Sequence, residues 1–328
     1  MDDVIPSLDG QLGSLGRVCY SSFPPMRKTR VVHMNPSVTR HGDSLLLIER
    51  VNHLESGSPT HNWRHNFSHL RLSRFNPKLK GGKAELLTLW EEHPDDARSR
   101  EDPRLFVRDG QVEIWCARRS PRDPFGPVWQ EIIRLNDAYR IEEVLLPTNF
   151  RNGAVRYQKN WTPMEGTSCF SYWLDGVHVV GTLDDVSANF QSTGLLWDYG
   201  QIHLGTPSLL IGDSFLAFFQ SSREEPYLDA LASRGIYNKR YYLGAVEFAS
   251  TPPFSPIKWT PEPLLIGSIK NPTQWGSPPV LFPGGAVHTD SQILVSLGIN
   301  DCGWSLVEIS LDQLRQRMQP VPESPQKD

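Results

Sequence analysis

The sequence predicts an all-β protein, a five-bladed β-propeller, on three observations. Short apolar runs such as "LLLIERV", "VEIWCA", "HVVGTL", "FLAFFQS" and "QILVSLG" alternate with clusters of Gly, Pro, Asp and Asn, the pattern of strands joined by tight turns. The 27 prolines and 25 glycines are spread over the whole length instead of marking one linker, which suits many turns within one architecture. A unit also recurs along the chain.

The copies are aligned on a proline followed by an aspartate. Pro36 leads to Asp43, Pro103 to Asp109, Pro207 to Asp213 and Pro283 to Asp290, each followed by an apolar strand. Pro163 and Asp175, with an insertion between them, make a less regular fifth copy. Each reads as a strand, an Asp/Gly turn and a second strand that needs its neighbours to cover it. Five units over 328 residues give ~60 residues apiece, close to a four-stranded blade plus loops. Only "SLDQLRQRM" has a helical look. The expected division is an N-terminal extension over 1–30, the propeller over 31–318 and a disordered polar tail over 319–328.

Composition limits function. With 33 Lys+Arg against 37 Asp+Glu, the net charge is −4 and no long basic run occurs, so nucleic acid is not the expected partner. No apolar stretch reaches the length of a bilayer crossing, and "MDDVIPSLDGQLG" lacks the charge and apolar core of a signal peptide. Cys19, Cys116, Cys169 and Cys302 lie far apart without a CxxC pair, which points to reduced thiols and a cytoplasmic setting. "HNWRHNFSH" spaces His61, His65 and His69 four apart, but no acidic partner accompanies them, so neither a metal nor another cofactor is expected. No G-x-S-x-G or Walker motif is present, and "GQLGSLG" has the wrong spacing for a dinucleotide fingerprint.

In a propeller, polar residues that precede the repeats converge at one end of the central channel. That set is Asn35 with Arg50; Glu101, Asp102 and Arg104; Lys159, Asn160 and Trp161; Thr206 to Ser208; and Asn300 with Asp301. Acids, cations, amides and an indole at one mouth suit a small polyhydroxylated or oligosaccharide ligand.

"EDPRLF", preceded by "NPSV" and "LLLIER" and followed by "KNW", "GTPSLLIGDSFLAFF", "YYLGAVEF", "LFPGGAV" and "SLGIND", resembles glycoside hydrolase family 130, the β-mannoside phosphorylases and mannosidases, and its mannosyltransferase relatives. The resemblance spans about residues 30 to 315 in one order and implies a five-bladed propeller. It also implies that Asp102 is the catalytic acid, with Asn35, Arg50, Glu101, Arg104 and Asp301 holding the sugar. Family phosphorylases carry a His-Arg pair and a Tyr-His-Gly that grip phosphate. This chain reads "SYWLDGVHVV" and "FFQSS" there, with Phe219 and Gln220 in place of Tyr and His. Lys159 and Tyr241 remain, and Arg118 or Arg119 is a further candidate for anion binding, so phosphate dependence is not expected.

Inverting cleavage needs a protonated acid and, opposite it, a base or external nucleophile. The adjacent Glu101 is a candidate for keeping Asp102 protonated, although neighbours on a strand point to opposite faces. Glu165, Asp175, Glu224, Glu225 and Asp301 are candidate bases. Three functions remain open: an enzyme acting on β-mannosides or related glycosides, a glycosyltransferase in which Asp102 is the base, and a non-catalytic glycan-binding propeller. Sugar, linkage and oligomeric state are not encoded in any feature found.

Overall fold

The computed structural model describes residues 8–23, 31–53, 67–75, 84–87, 89, 100–120, 123–147, 159–183, 189–224, 239–268 and 279–322. After a short helix α1 (Leu8–Leu12) comes strand β1 (Gly16–Ser22). The first sheet runs in the order β2 (Val31–His41), β3 (Ser44–His53), β4 (Phe67–Phe75) and β5 (Glu85–Leu87). The second is β6 (Arg100–Arg108), β7 (Gln111–Ser120), β8 (Asp123–Leu135) and β9 (Ile141–Leu145). The third is β10 (Thr162–Pro163), β11 (Cys169–Trp173), β12 (Val177–Thr182) and β13 (Phe190–Thr193). In the fourth, β14 (Gln201–Leu204) and β15 (Leu209–Ile211) both pair with β16 (Ser214–Glu224), followed by β17 (Lys239–Ala249), β18 (Pro256–Trp259), β19 (Leu265–Ile266) on β17, and β23 (Gln319–Pro320) on β18. The fifth is β20 (Leu281–Thr289), β21 (Gln292–Ile299), β22 (Gly303–Ser310) and β1. Helix α2 (Leu311–Arg317) is capped by the Ser310 side chain, where the sequence has its one helical segment.

The repeat has a structural meaning. Pro36, Pro103, Pro163 and Pro283 lie on β2, β6, β10 and β20, and Pro207 lies between β14 and β15. The aspartates at 43, 109, 213 and 290 fall in the turns that follow, with positive φ at Gly42, Asp109, Gly110, Gly212 and Asp290, the geometry of tight hairpins that match strand twist.

These proline-bearing segments meet in a ring. Leu105 N donates to Ser37 Oγ at 2.7 Å, Ser208 N to Pro163 O at 2.9 Å, and Ser296 Oγ to Pro36 O at 3.0 Å. Gly205 lies so close to Pro283 that a Cβ there would come within 2.5 Å of the proline ring. Apolar clusters fill the wedges between sheets, one joining Phe106, Trp115 and Ile132 to Trp161 and Phe170, another joining Leu216, Phe218 and Leu243 to Leu281, Val295 and Val307. The arrangement is a β-propeller. Five four-stranded blades were expected; four sheets have that form and the other has seven strands, because β15, β19 and β23 add two- and three-residue pairings.

Two boundaries differ from expectation as well. Within 1–30, β1 is the outer strand of the fifth sheet, paired antiparallel with β22, because β22 would otherwise present an open edge. Within 319–328, Gln319–Pro320 pairs with β18, while 323–328 lie outside the described residues, as do His61, His65 and Glu225. No helix among the described residues is long and apolar enough to cross a membrane.

Candidate active site

The site grows out of breaks in the inner strands. A proline has no N–H for the ladder, and the pairing slips between Met34 and Ser37 on β2 and between Glu101 and Arg104 on β6. Asn35-Pro36 and Asp102-Pro103 therefore stand in bulges. Their backbones are left-handed, φ +47° and +52°, as are Asn160, Asn300 and Asp301 at +67°, +52° and +49°. Asn and Asp tolerate this region best among side chains with a Cβ. Nine non-glycine residues among those described have positive φ, and these five are all members of the convergent polar set, so unusual backbone is concentrated where chemistry would be.

Asp102 sits at the centre, 8 % exposed. Asn35 Nδ2 donates to its Oδ1 at 2.9 Å. Arg50 Nη1 lies 3.7 Å from the same oxygen, and Lys159 Nζ 3.9 Å from Oδ2. Arg50 Nη2 also pairs with Glu101 at 3.4 Å. Burial pushes the Asp102 carboxyl up, but Lys159, Arg50, Arg104 and the Asn35 amide outweigh it and hold it below the usual aspartate value. Asp102 is thus an anion in the ligand-free protein, not the protonated acid expected from its neighbour Glu101. Asp301 behaves oppositely. Burial, with Asp102 and Glu101 adding to it against Arg50 and Lys159, raises it to about 6.

Asn35 depends on a glycine. A Cβ at Gly298 would lie 2.4 Å from Asn35 Oδ1 and 2.9 Å from its Cα. Gly298→Ala is expected to push Asn35 off Asp102, lowering turnover at least ~10-fold as a hydrogen bond to a charge is lost, with ~1–3 kcal/mol of destabilisation from overpacking. Assayed turnover together with a urea midpoint checks this; wild-type values for both would mean that Asn35 needs no such clearance.

The structure separates the other candidates. Arg104, 1 % exposed, donates to Gly205 O at 2.6 Å, Asp102 O at 3.0 Å, and Asn160 Oδ1 and Leu204 O at 3.1 Å. It also lies 5.2 Å over the Phe282 ring. Its donors face protein acceptors on β6, at the end of β14 and in the segment before β10, so it holds Asn160 and the Asp102 backbone in place rather than reaching a ligand. Trp161, the indole of the convergent set, is 2 % exposed and stacked at 4.8 Å on Phe170, so it belongs to the core. Arg118 Nη1 pairs at 3.1 Å with the fully buried Glu131, which draws it away from an anion role. Tyr241 is half-buried against the core between the fourth and fifth sheets. Thr206 Oγ1 accepts from Phe218 N, and Ser208 is buried. Among the candidate bases, Glu165 accepts from Leu210 N and Asp175 from Ile202 N. Among the described candidates, Asp301 is the one whose ionisation Asp102 influences.

His203, which sequence reading passed over, joins the site from β14. It lies opposite Gln220 in register, and burial together with Lys159 and Lys239 lowers it to about 4. Its position in "QIHLGTP", just before the fourth repeat, was the available signal.

The fold and site together define a β-propeller with a carboxylate-and-cation centre where its inner strands break. No protein-family profile matches the chain, and no curated protein matches it. Solved structures do. The β-1,2-mannobiose phosphorylase from Listeria innocua is similar at 13% identity and TM-score 0.63, over 90% of this chain and 94% of that one. A structure of the GH130 family of mannoside phosphorylases, described as containing glycoside hydrolases that target β-1,2 mannosidic linkages in Candida mannan, is similar at 14% identity and TM-score 0.64, over 98% and 95%. MPT-1, a GDP-Man-dependent mannosyltransferase from Leishmania mexicana, is similar at 15% identity and TM-score 0.56, over 92% and 93%. At these identities the likeness establishes the shared propeller fold.

Proposed function

We propose that the protein is a carbohydrate-active enzyme that transfers a mannosyl or related glycosyl group with inversion, Asp102 handling the proton. We read 31–318 as its catalytic unit, with the seven-stranded sheet counted as one of five blades, and 1–30 contributing the closing strand β1 and the core leucines Leu8, Leu12 and Leu15. The observation that carries this is the buried Asp102 anion between Asn35, Arg50 and Lys159. An anionic carboxylate suits a base that takes the proton of an acceptor hydroxyl as the glycosyl group arrives; in the reverse, cleaving direction the same group is the acid. Asn35, Arg50, Glu101 and Asp301 surround the place where a sugar ring would lie, and the likeness to phosphorylase, hydrolase and mannosyltransferase structures supports a mannoside as substrate.

Transfer from a donor with an anionic leaving group is favoured over hydrolysis because Lys159 stands 3.9 Å from Asp102, a cation placed to meet a phosphoryl group. The same feature favours inorganic phosphate as a second reading. Incubation with GDP-mannose or mannose 1-phosphate plus manno-oligosaccharide acceptors, and with oligosaccharides with and without phosphate, tests both. Chain extension from the activated donors is the expected product. Sugar 1-phosphate released only with phosphate would establish phosphorolysis, and binding without turnover of any substrate would leave a glycan-binding propeller.

A further inference from the structure

Arg50 divides its two ends between neighbouring carboxylates. Its Nη1 lies 3.7 Å from Asp102 and its Nη2 3.4 Å from Glu101. An unrestrained guanidinium pairs bidentately with a single carboxylate, two parallel N–H donors to two oxygens, so a divided fork needs a further contact to set its plane. Asn52 makes that contact. Its Oδ1 accepts from Arg50 Nε at 3.2 Å, two residues along β3, where alternate side chains share a face. Asn52 is 5 % exposed and Arg50 7 %. Because arginine has donors only, the bond also fixes which end of the Asn52 amide faces it.

The carboxylate side is held separately. Asn52 stands opposite Ser68 in the β3–β4 ladder, and Ser68 Oγ donates at 2.9 Å to Arg100 O, the carbonyl just before Glu101-Asp102. The Arg100 side chain in turn donates to the fully buried Glu131 on β8. One rung of the first sheet therefore sets both partners: Ser68 holds the backbone that carries the acids, and Asn52 holds the cation that meets them. Removing the Asn52 acceptor releases the cation and leaves that backbone where it is.

We propose that Asn52 is a positioning residue: by accepting from Nε it holds the plane of the Arg50 guanidinium so that one terminal nitrogen serves Asp102 and the other Glu101. Without it the fork turns to Glu101, the closer of the two, and Asp102 loses a cation. The charged groups around Asp102 are Arg50 from β3, Glu101 and Arg104 from β6, Lys159 from the segment before β10 and Asp301 from the β21–β22 turn. Taking Arg50 out of that set weakens the hold on the Asp102 anion. The effect on turnover rests on the transfer reading of the preceding section; the effect on Asp102 itself does not.

The test begins without substrate. In the ligand-free full chain labelled with 13C at aspartate carboxyls, the Asp102 resonance is assigned by its loss in Asp102→Asn. In Asn52→Leu it should titrate about one pH unit higher than in wild type, the scale for losing a nearby opposite charge. Asn52→Ala, which adds no bulk, should give the same displacement and serves if Asn52→Leu does not fold, as followed by melting. Arg50→Lys has no Nε–H for Asn52 to hold, so adding Asn52→Leu to it should move the resonance no further. A residue that only supported the fold would lower the melting temperature and leave the titration of the folded protein unmoved. With the transferase assay working, the acid limb of the pH–rate profile should move up by the same interval, since Asp102 must be ionised to act as the base. An unmoved Asp102 titration in the folded Asn52 variants, or an equal displacement in the Arg50→Lys background, overturns the proposal. A displaced titration in a protein that turns over no glycosyl donor upholds it and sinks the transfer reading instead.

Discussion

Asp102→Asn is expected to reduce turnover by ~10²–10⁴ while sugar binding persists. Asparagine keeps the shape and still accepts the 2.9 Å bond from Asn35, but it can neither take nor return a proton. Lys159 would lose its anionic partner and Arg50 one of its two, so the melting temperature must be followed as a control. Glu101→Gln provides the contrast, since its contact with Arg50 at 3.4 Å exists before any reaction. Weakening of binding and rate together is expected there. Full activity in Asp102→Asn would end the catalytic assignment, and lost stability with unchanged rate in the folded fraction would make Asp102 a turn residue only.

The second large effect lies one residue past Pro103. Arg104→Met is expected to destabilise the protein by ~3–5 kcal/mol, the range for leaving partners of a buried charge unsatisfied. Four hydrogen bonds to Gly205, Leu204, Asp102 and Asn160 would go at once, and three of the acceptors are backbone carbonyls that water cannot easily reach. Arg104→Lys should recover little, because a single ammonium cannot span the positions of a planar fork. Denaturant midpoints for both variants decide the matter. A stable Arg104→Lys with a raised KM would return Arg104 to the sugar-holding role that the resemblance gives it.

The propeller was legible in the sequence because its signals are local. Proline stops a ladder and Asp/Gly makes a hairpin turn wherever the chain goes, so Pro36-to-Asp43 and Pro103-to-Asp109 repeat without help from long-range contacts. The extra pairings of β15, β19 and β23 were not legible, since two or three residues carry no period. Nor was β1: "GRVCYSS" has no clean alternation, and its burial is mostly partial. Asn35, Asp102 and Asp301 drew attention in the sequence as polar residues beside the repeats, and the structure gives all three left-handed backbones. Trp161 could not be sorted, as an indole serves a core and a platform equally. The charge on Asp102 was beyond sequence altogether: it depends on Arg50 from the first sheet and Lys159 from the segment before β10 both reaching it.

The strand β1 has a consequence for how the molecule is made. Its partner β22 lies nearly the whole chain away, with Cys19 Sγ bonded to Leu306 O across 287 residues and Arg17 to Glu308 across 291. During synthesis the segment around residue 20 must therefore wait, unpaired, until residue 310 has emerged, which at ~5–20 residues per second is tens of seconds. Closure of so long a loop is entropically slow, and in that interval both β1 and the open side of the fifth sheet can pair with another chain. A ring fastened this way should exchange strands between copies when refolded at high concentration and close on itself when dilute.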